Sequence, residues 1–160
     1  MGTHYQGTKE EKRALNAFIK LIRASQSLSG RVEAHLSELG LTVSQFGVLE
    51  SLFHLGPLNQ KNLAVKILKS TGNITMVIDN LEKRGLVKRT RDEKDRRHYS
   101  VSITVKGSGL MTSFFPKHVA RIVAEMGVLS GTEQDTLANL CKKVGLGVHA
   151  APAGKTRTSP

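Results

Sequence analysis

The apolar repeat of this sequence changes period at Gly85. Before it, Leu63, Ala64, Ile67 and Leu68, then Ile74, Val77, Ile78 and Leu81, recur at the threes and fours of a helical face. After it, Leu86-Val87-Lys88-Arg89 reads as a strand, and Tyr99, Val101, Ile103 and Val105 alternate with polar residues in a second. Between the two strands lies Arg91-Asp92-Glu93-Lys94-Asp95-Arg96-Arg97, seven consecutive charged residues. The spacing predicts a short helix, a break near Lys69-Ser70, a second helix closed by Gly85, and a two-stranded ribbon. A ribbon with this tip has no apolar reason to pack on its own domain.

The flanks are helical. From Lys9 to Leu39 the apolar positions Leu15, Phe18, Ile19, Ile22, Leu28, Val32, Leu36 and Leu39 form a long stripe without proline. It predicts either one long helix packing across a subunit interface, or an intramolecular helix, or two helices broken near Ser29-Gly30. Thr42-Val43-Ser44-Gln45 has the form of a capping box, opening a helix that stops at Gly56-Pro57. Asn59 then reads as an N-cap. Beyond the ribbon, a segment from Lys106 to Met126 contains Pro116 and is expected to be kinked or split. A last helix is expected from Ser130 through Leu137, Leu140, Cys141 and Val144. The Ala-, Pro- and Ser/Thr-rich stretch from Gly147 is expected to be a disordered tail.

Charge decides between partners. The 160 residues carry 24 Lys and Arg against 13 Asp and Glu, a net charge of +11. Residues 59–106 alone hold 12 basic and 5 acidic side chains, so the surplus of +7 sits in the helix–ribbon segment. Such a surplus favours polyanions. A basic membrane-surface helix would oppose its cations to one broad apolar face, whereas this segment changes period midway. The expectation is nucleic acid, with no membrane partner. No apolar run approaches the roughly 18 residues of a transmembrane helix. Met1–Tyr5 leads into charge rather than into an apolar stretch, which predicts no secretory signal and a cytoplasmic location.

Helix, short helix, tight break, helix and a basic-tipped ribbon is the order of a winged helix-turn-helix. The second helix of the pair, burying Ile74, Val77, Ile78 and Leu81, leaves Asn73, Thr75, Met76, Asn80 and Lys83 towards the outside. Asn can bond an adenine edge in two places, and Met and the Thr methyl can touch a thymine methyl. Lys83 and hydroxyls such as Ser70 suit phosphates. Arg91, Lys94, Arg96 and Arg97 of the wing can enter a minor groove, where narrow A·T tracts concentrate negative potential. Each of these polar residues alone reads as a solvated helix face; together with the basic wing they point to duplex DNA.

The stretch GNITMVIDNLEKRGLVKRTRDEKDRRHYSVSITVKG, residues 72–107, resembles the signature region of the MarR (multiple antibiotic resistance regulator) family. LTVSQFGVLESLFHLGPLNQKNLAVKI, residues 41–67, is similar to that family's preceding helices. The resemblance implies a mainly α fold with a small β-hairpin wing, flanked by N- and C-terminal dimerisation helices. It divides the chain into a dimerisation helix at 9–39, a DNA-binding domain at 42–105, dimerisation helices at 106–146 and a tail at 147–160. It implies an obligate homodimer on a palindromic operator, repressing or activating nearby genes, most simply as a repressor, and released by a small phenolic or other aromatic effector or by thiol oxidation. By position, Asn73, Thr75, Met76 and Asn80 fall on the groove-facing side of the family's recognition helix. Asp95 matches the acid that braces a wing arginine, and Arg96 and Arg97 match the DNA-contacting basic pair. Family members often carry arginines where this chain has Met76 and Asn80, which shifts weight to the wing and to A·T-rich shape. The effector pocket is implied between the dimer helices and the DNA-binding domain; its residues are not legible.

Other chemistries find little in the sequence. Cys141 is the single cysteine, and its place among Leu137, Leu140 and Val144 predicts a buried, inert thiol. Redox sensing through Cys141, favoured by Lys142 and Lys143 beside it, is the alternative. A winged-helix module for protein–protein contact is another, but it would want a neutral wing. The histidines at 4, 35, 54, 98, 118 and 149 include no i, i+4 pair, so no metal is assigned. No phosphate loop, nucleophile elbow or paired carboxylates suggest an enzyme, and no cofactor is expected.

Overall fold

A computed structural model describes residues 3–68, 70–91 and 99–147. Eight elements carry the architecture: α1 (Lys9–Leu36), α2 (Val43–Leu55), β1 (Leu58–Asn59), α3 (Gln60–Lys66), α4 (Thr71–Lys83), β2 (Val87–Arg91), β3 (Tyr99–Ile103) and α5 (Val105–Met126). A ninth, α6 (Gly131–Leu146), follows. The fold is mainly helical with a small antiparallel sheet, a winged helix-turn-helix. None of its described helices is long and apolar enough to cross a membrane.

Local chemistry sets the boundaries. Thr8 with Glu11, Thr42 with Gln45 and Ser130 with Glu133 each form a complete capping box, satisfying amides that the first turn of a helix leaves open. Asn59 and Ser70 cap α3 and α4 through their side chains. α1 runs unbroken past Ser29-Gly30 and tightens into a 3-10 turn at Ser37–Leu39, which Gly40 ends at φ 60°. Gly85 ends α4 at φ 69°, where a side chain would be strained.

Three expectations are corrected. The ribbon has a third strand: Leu58 and Asn59 pair with Val101 and Ser100, giving the order β1-β3-β2. Two residues after Pro57 are too short to show alternation, and only pairing with the distant β3 makes them a strand. Val105 is not a strand residue but the first residue of α5, 93% exposed. Thr104 stops the strand there because its hydroxyl accepts from the Gly107 amide at 3.1 Å and so opens the helix. Finally, α5 is not split at Pro116 but passes through it as one element, which corrects only that half of the expectation. Proline removes only the bond to the carbonyl four residues back, and the remaining turns suffice to continue the helix.

The chain divides after Arg121 into two compact units. In the first, Leu36, Phe46, Leu49, Leu52, Leu63, Ile74, Ile78, Leu81, Val101, Met111 and Phe114 close one core. Truncating such a leucine or isoleucine to alanine costs about 2–5 kcal/mol. Against that core α1 contributes only one buried residue, Leu36, while Phe18, Leu21 and Ile22 are exposed. In the second unit, Gln134 Nε2 donates to the carbonyls of Met126 and Leu129, fixing the start of α6. α6 has no buried residue, and Leu137, Leu140, Val144 and Leu146 are exposed. Cys141 is therefore exposed as well, against the expectation of a buried thiol. The apolar spacing around it is real, but among the described residues nothing covers that stripe.

Candidate nucleic-acid interface

α4 is oriented by its buried face. Ile74, Ile78 and Leu81 are fully buried, so the helical period turns Asn73, Thr75, Met76, Asn80 and Lys83 outwards, and all five are exposed. Met76, a large apolar side chain, is 60% exposed among the described residues. Asn73, Met76 and Asn80 line one side of a groove whose other side is the first turn of α2, with Thr42, Ser44 and Gln45. The sequence marks these residues only as a capping box and not as part of a groove, because their proximity to α4 depends on how the two helices pack. Ser70 is exposed, and its hydroxyl oxygen accepts from the Asn73 amide at 3.4 Å. Its own proton is left to donate outwards.

The ribbon stands on the opposite flank of α4. Arg91 ends β2 and lies over the Tyr99 ring at 6.0 Å. Lys94, Asp95, Arg96 and Arg97, expected at the tip, lie outside the described residues. The strand base joins α4 through Arg89, which the sequence pattern marks only as a strand residue. Its guanidinium donates to Glu82 Oε2 at 2.6 Å and to Asp79 Oδ1 at 2.5 Å, with a longer contact to the Thr75 carbonyl at 3.5 Å. Its amide adds a bond to Glu82 Oε1 at 3.0 Å. Burial alone would lower the pKa of the guanidinium, but the two carboxylates outweigh it and hold it above its ordinary value.

The far end of α4 is tied to the flanking helices. Arg84 donates to the carbonyls of Gly40 and Leu39 at 2.7 and 2.9 Å, closing the end of α1. Thr104 Oγ1 donates to the Gly85 carbonyl at 2.7 Å, and Lys106 Nζ to the Arg84 carbonyl at 2.9 Å. The sequence Ile103-Thr104-Val105-Lys106-Gly107 thus fastens the ribbon, the end of α4 and the start of α5 at one point.

Two further features lie behind the interface. An open cleft of about 710 Å³ is lined by Ser25, Ser29 and Glu33 of α1, Ser44 and Glu50 of α2, and Lys66 at the end of α3, among others. Beside α2, His35 stacks on Phe114 at 4.7 Å and on His118 at 6.0 Å, and His118 sits 4.5 Å from Phe46. His35 Nε2 and His118 Nδ1 are buried without a hydrogen-bond partner among the described residues. Burial lowers the His118 pKa; Glu50 opposes that shift and His35 adds to it. Helical spacing could not bring these histidines together, since they lie on α1 and α5. Among the described residues no group of three or more His, Cys, Asp and Glu could hold a metal ion.

Comparison with known proteins agrees with this geometry. The profile of the MarR family matches residues 41–99. The HTH-type transcriptional regulator MhqR of Bacillus subtilis is 38% identical over 135 residues, 84% of this chain and 93% of its own length. The structure of S. aureus MepR bound to DNA superposes with a TM-score of 0.71 at 22% identity, over 81% of this chain and 96% of that one. That of Bordetella bronchiseptica BpsR, whose DNA binding is described as regulated by 6-hydroxynicotinic acid, gives 0.73 at 25% identity over 81% and 98%. With a near-full-length relative at this identity and a family profile across α2 to the wing, the chain belongs to the MarR family of DNA-binding winged helix-turn-helix transcription regulators.

Proposed function

We propose that the protein is a homodimeric repressor that reads a palindromic operator in duplex DNA and leaves it on binding a small aromatic effector. The observation that carries this reading is the outer face of α4. Asn73, Met76 and Asn80 are exposed in a groove beside the first turn of α2, and Lys83 lies one turn further on. Asn73 and Asn80 contact adenine edges, Met76 a thymine methyl, and Lys83 and Ser70 the phosphates. Thr75 faces the wing side, and Arg91 with Lys94, Arg96 and Arg97 reaches the minor groove, Asp95 bracing a neighbouring arginine. The apolar stripes of α1 and α6, exposed in the single chain, support a dimer in which they are covered.

The effector site in this reading is the cleft between α1 and α2, where Lys66 offers a cation to an aromatic acid. Release by oxidation is a second reading, favoured by the exposure of Cys141. It predicts that mild peroxide frees the parent from DNA but not the Cys141→Ser variant.

Titration against duplex DNA tests the main reading. The mass in solution should lie near twice 17.4 kDa, and log affinity should fall linearly with log salt as roughly six or more counterions are released. A folded monomer, or equal affinity for single strands, refutes it.

A further inference from the structure

We infer that Arg89, with Asp79 and Glu82, forms a positioning clasp that fixes the angle between the DNA-reading helix α4 and the wing, so that both grooves are met at once. The inference rests on the DNA-binding reading above and concerns residues that contact no base in it.

The geometry is specific. Asp79 and Glu82 stand one turn apart on α4, on the side turned to β2, and Arg89 on β2 fills the space between them. Three charge-assisted bonds of 2.5–3.0 Å join the two elements: two from the guanidinium and one from the Arg89 amide. A planar fork held by two carboxylates and a backbone amide fixes orientation as well as distance. The Arg89 side chain is 20% exposed, against 46% and 38% for Asp79 and Glu82. It is therefore withdrawn behind the acids rather than extended as a cation towards a phosphate.

The acids are the informative part. Both sit on the helix that meets DNA, where a bare carboxylate repels phosphate. Electrostatics alone makes their removal strengthen binding to every duplex. A clasp makes the opposite prediction for the operator: freeing the ribbon from α4 loosens the relative placement of helix and wing, and specific contacts need both. Binding to random sequence, which rests on phosphates, does not need that angle.

The test uses the full-length protein and two probes. One is the duplex recovered by the parent from a randomised library; the other is a scrambled duplex of equal length. Asp79→Asn and Glu82→Gln, singly and together, should weaken operator binding about tenfold, the scale of one lost base contact. Binding to the scrambled duplex should be equal or tighter. Arg89→Lys, which keeps the charge but not the fork, should also lose operator affinity. Thermal melts identify any variant that fails to fold, and a loss of folded protein lowers both affinities together without changing their ratio. The inference is overturned if the operator-to-scrambled ratio of the folded Asp79→Asn or Arg89→Lys protein equals the parent's, or if the acid variants bind both duplexes more tightly in proportion. Failure of the parent to prefer any duplex would instead refute the underlying function.

Discussion

Gly107 and Gly109 lie two residues apart near the start of α5, yet the same substitution should have opposite signs at the two. A Cβ at Gly107 would stand 2.2 Å from the Leu86 carbonyl oxygen, 2.8 Å from Ile103 Cγ1 and 3.1 Å from the Leu86 carbonyl carbon. Carbon and oxygen normally approach to about 3.3 Å, so the overlap is about 1 Å and the obstacle is backbone. Relief requires α5 to move off the ribbon base, and a gap of that size forfeits a quarter to a half of each dispersion contact it opens, roughly. Met111, buried one turn on, moves with it. Overpacking of this kind costs about 1–3 kcal/mol net, even though alanine is the better helix former by about 1 kcal/mol. At Gly109 no described residue outside the helix's own backbone lies within 4 Å of the added carbon, so only the propensity gain remains, about 0.5–1 kcal/mol. Far-UV circular dichroism melts at one fixed protein concentration should place Gly107→Ala below the parent by about 6 °C and Gly109→Ala above it by about 2 °C. A Gly107→Ala protein as stable as the parent would refute the close approach of α5 to Leu86.

The remaining predictions address charge, pH and assembly. Lys83→Ala should weaken operator and scrambled duplexes about equally and reduce the salt slope by about one; a loss confined to the operator would make Lys83 a base contact. Because burial lowers the His118 pKa below its unfolded value, the unfolded chain takes up the proton first. Stability contributed by neutral His118 is thus complete above the unfolded pKa near 6.5 and declines as pH falls from there towards the folded value. Melts at neutral and mildly acidic pH should show a smaller acid loss for His118→Phe than for the parent, and equal losses would dismiss the effect. Leu140→Glu, on the exposed stripe of α6, should leave the monomer folded but lower the mass seen by light scattering towards 17.4 kDa; an unchanged dimer would move the interface elsewhere.

What could be read from the sequence was local. The Thr42–Gln45 capping pair and the Ser130 N-cap act within one turn, so they locate the starts of α2 and α6 from the sequence alone. The buried face of α4 follows from one period, and so do its exposed asparagines. Features made by distant segments were not readable. β1 exists only because Leu58 and Asn59 pair with β3, and Val105 continues an alternation that Thr104 has already ended. Arg89 meets Asp79 and Glu82 across a turn whose geometry the sequence does not encode by spacing. The exposure of Cys141 shows the converse: helical spacing identifies an apolar stripe, but not whether the same chain covers it.

The central claim is that two copies of this chain read duplex DNA through α4 and the wing. Selection of bound molecules from a pool of randomised duplexes, single strands and RNA tests it most directly. Because Met76 and Asn80 offer methyl and adenine contacts, the recovered ligands should be duplexes with A·T-rich cores. Their two-fold half-sites should lie one helical turn apart, about 10 bp centre to centre. Recovery of a G·C-rich asymmetric duplex would contradict the contacts and the two-fold geometry, and recovery of single-stranded or RNA ligands would contradict the function itself.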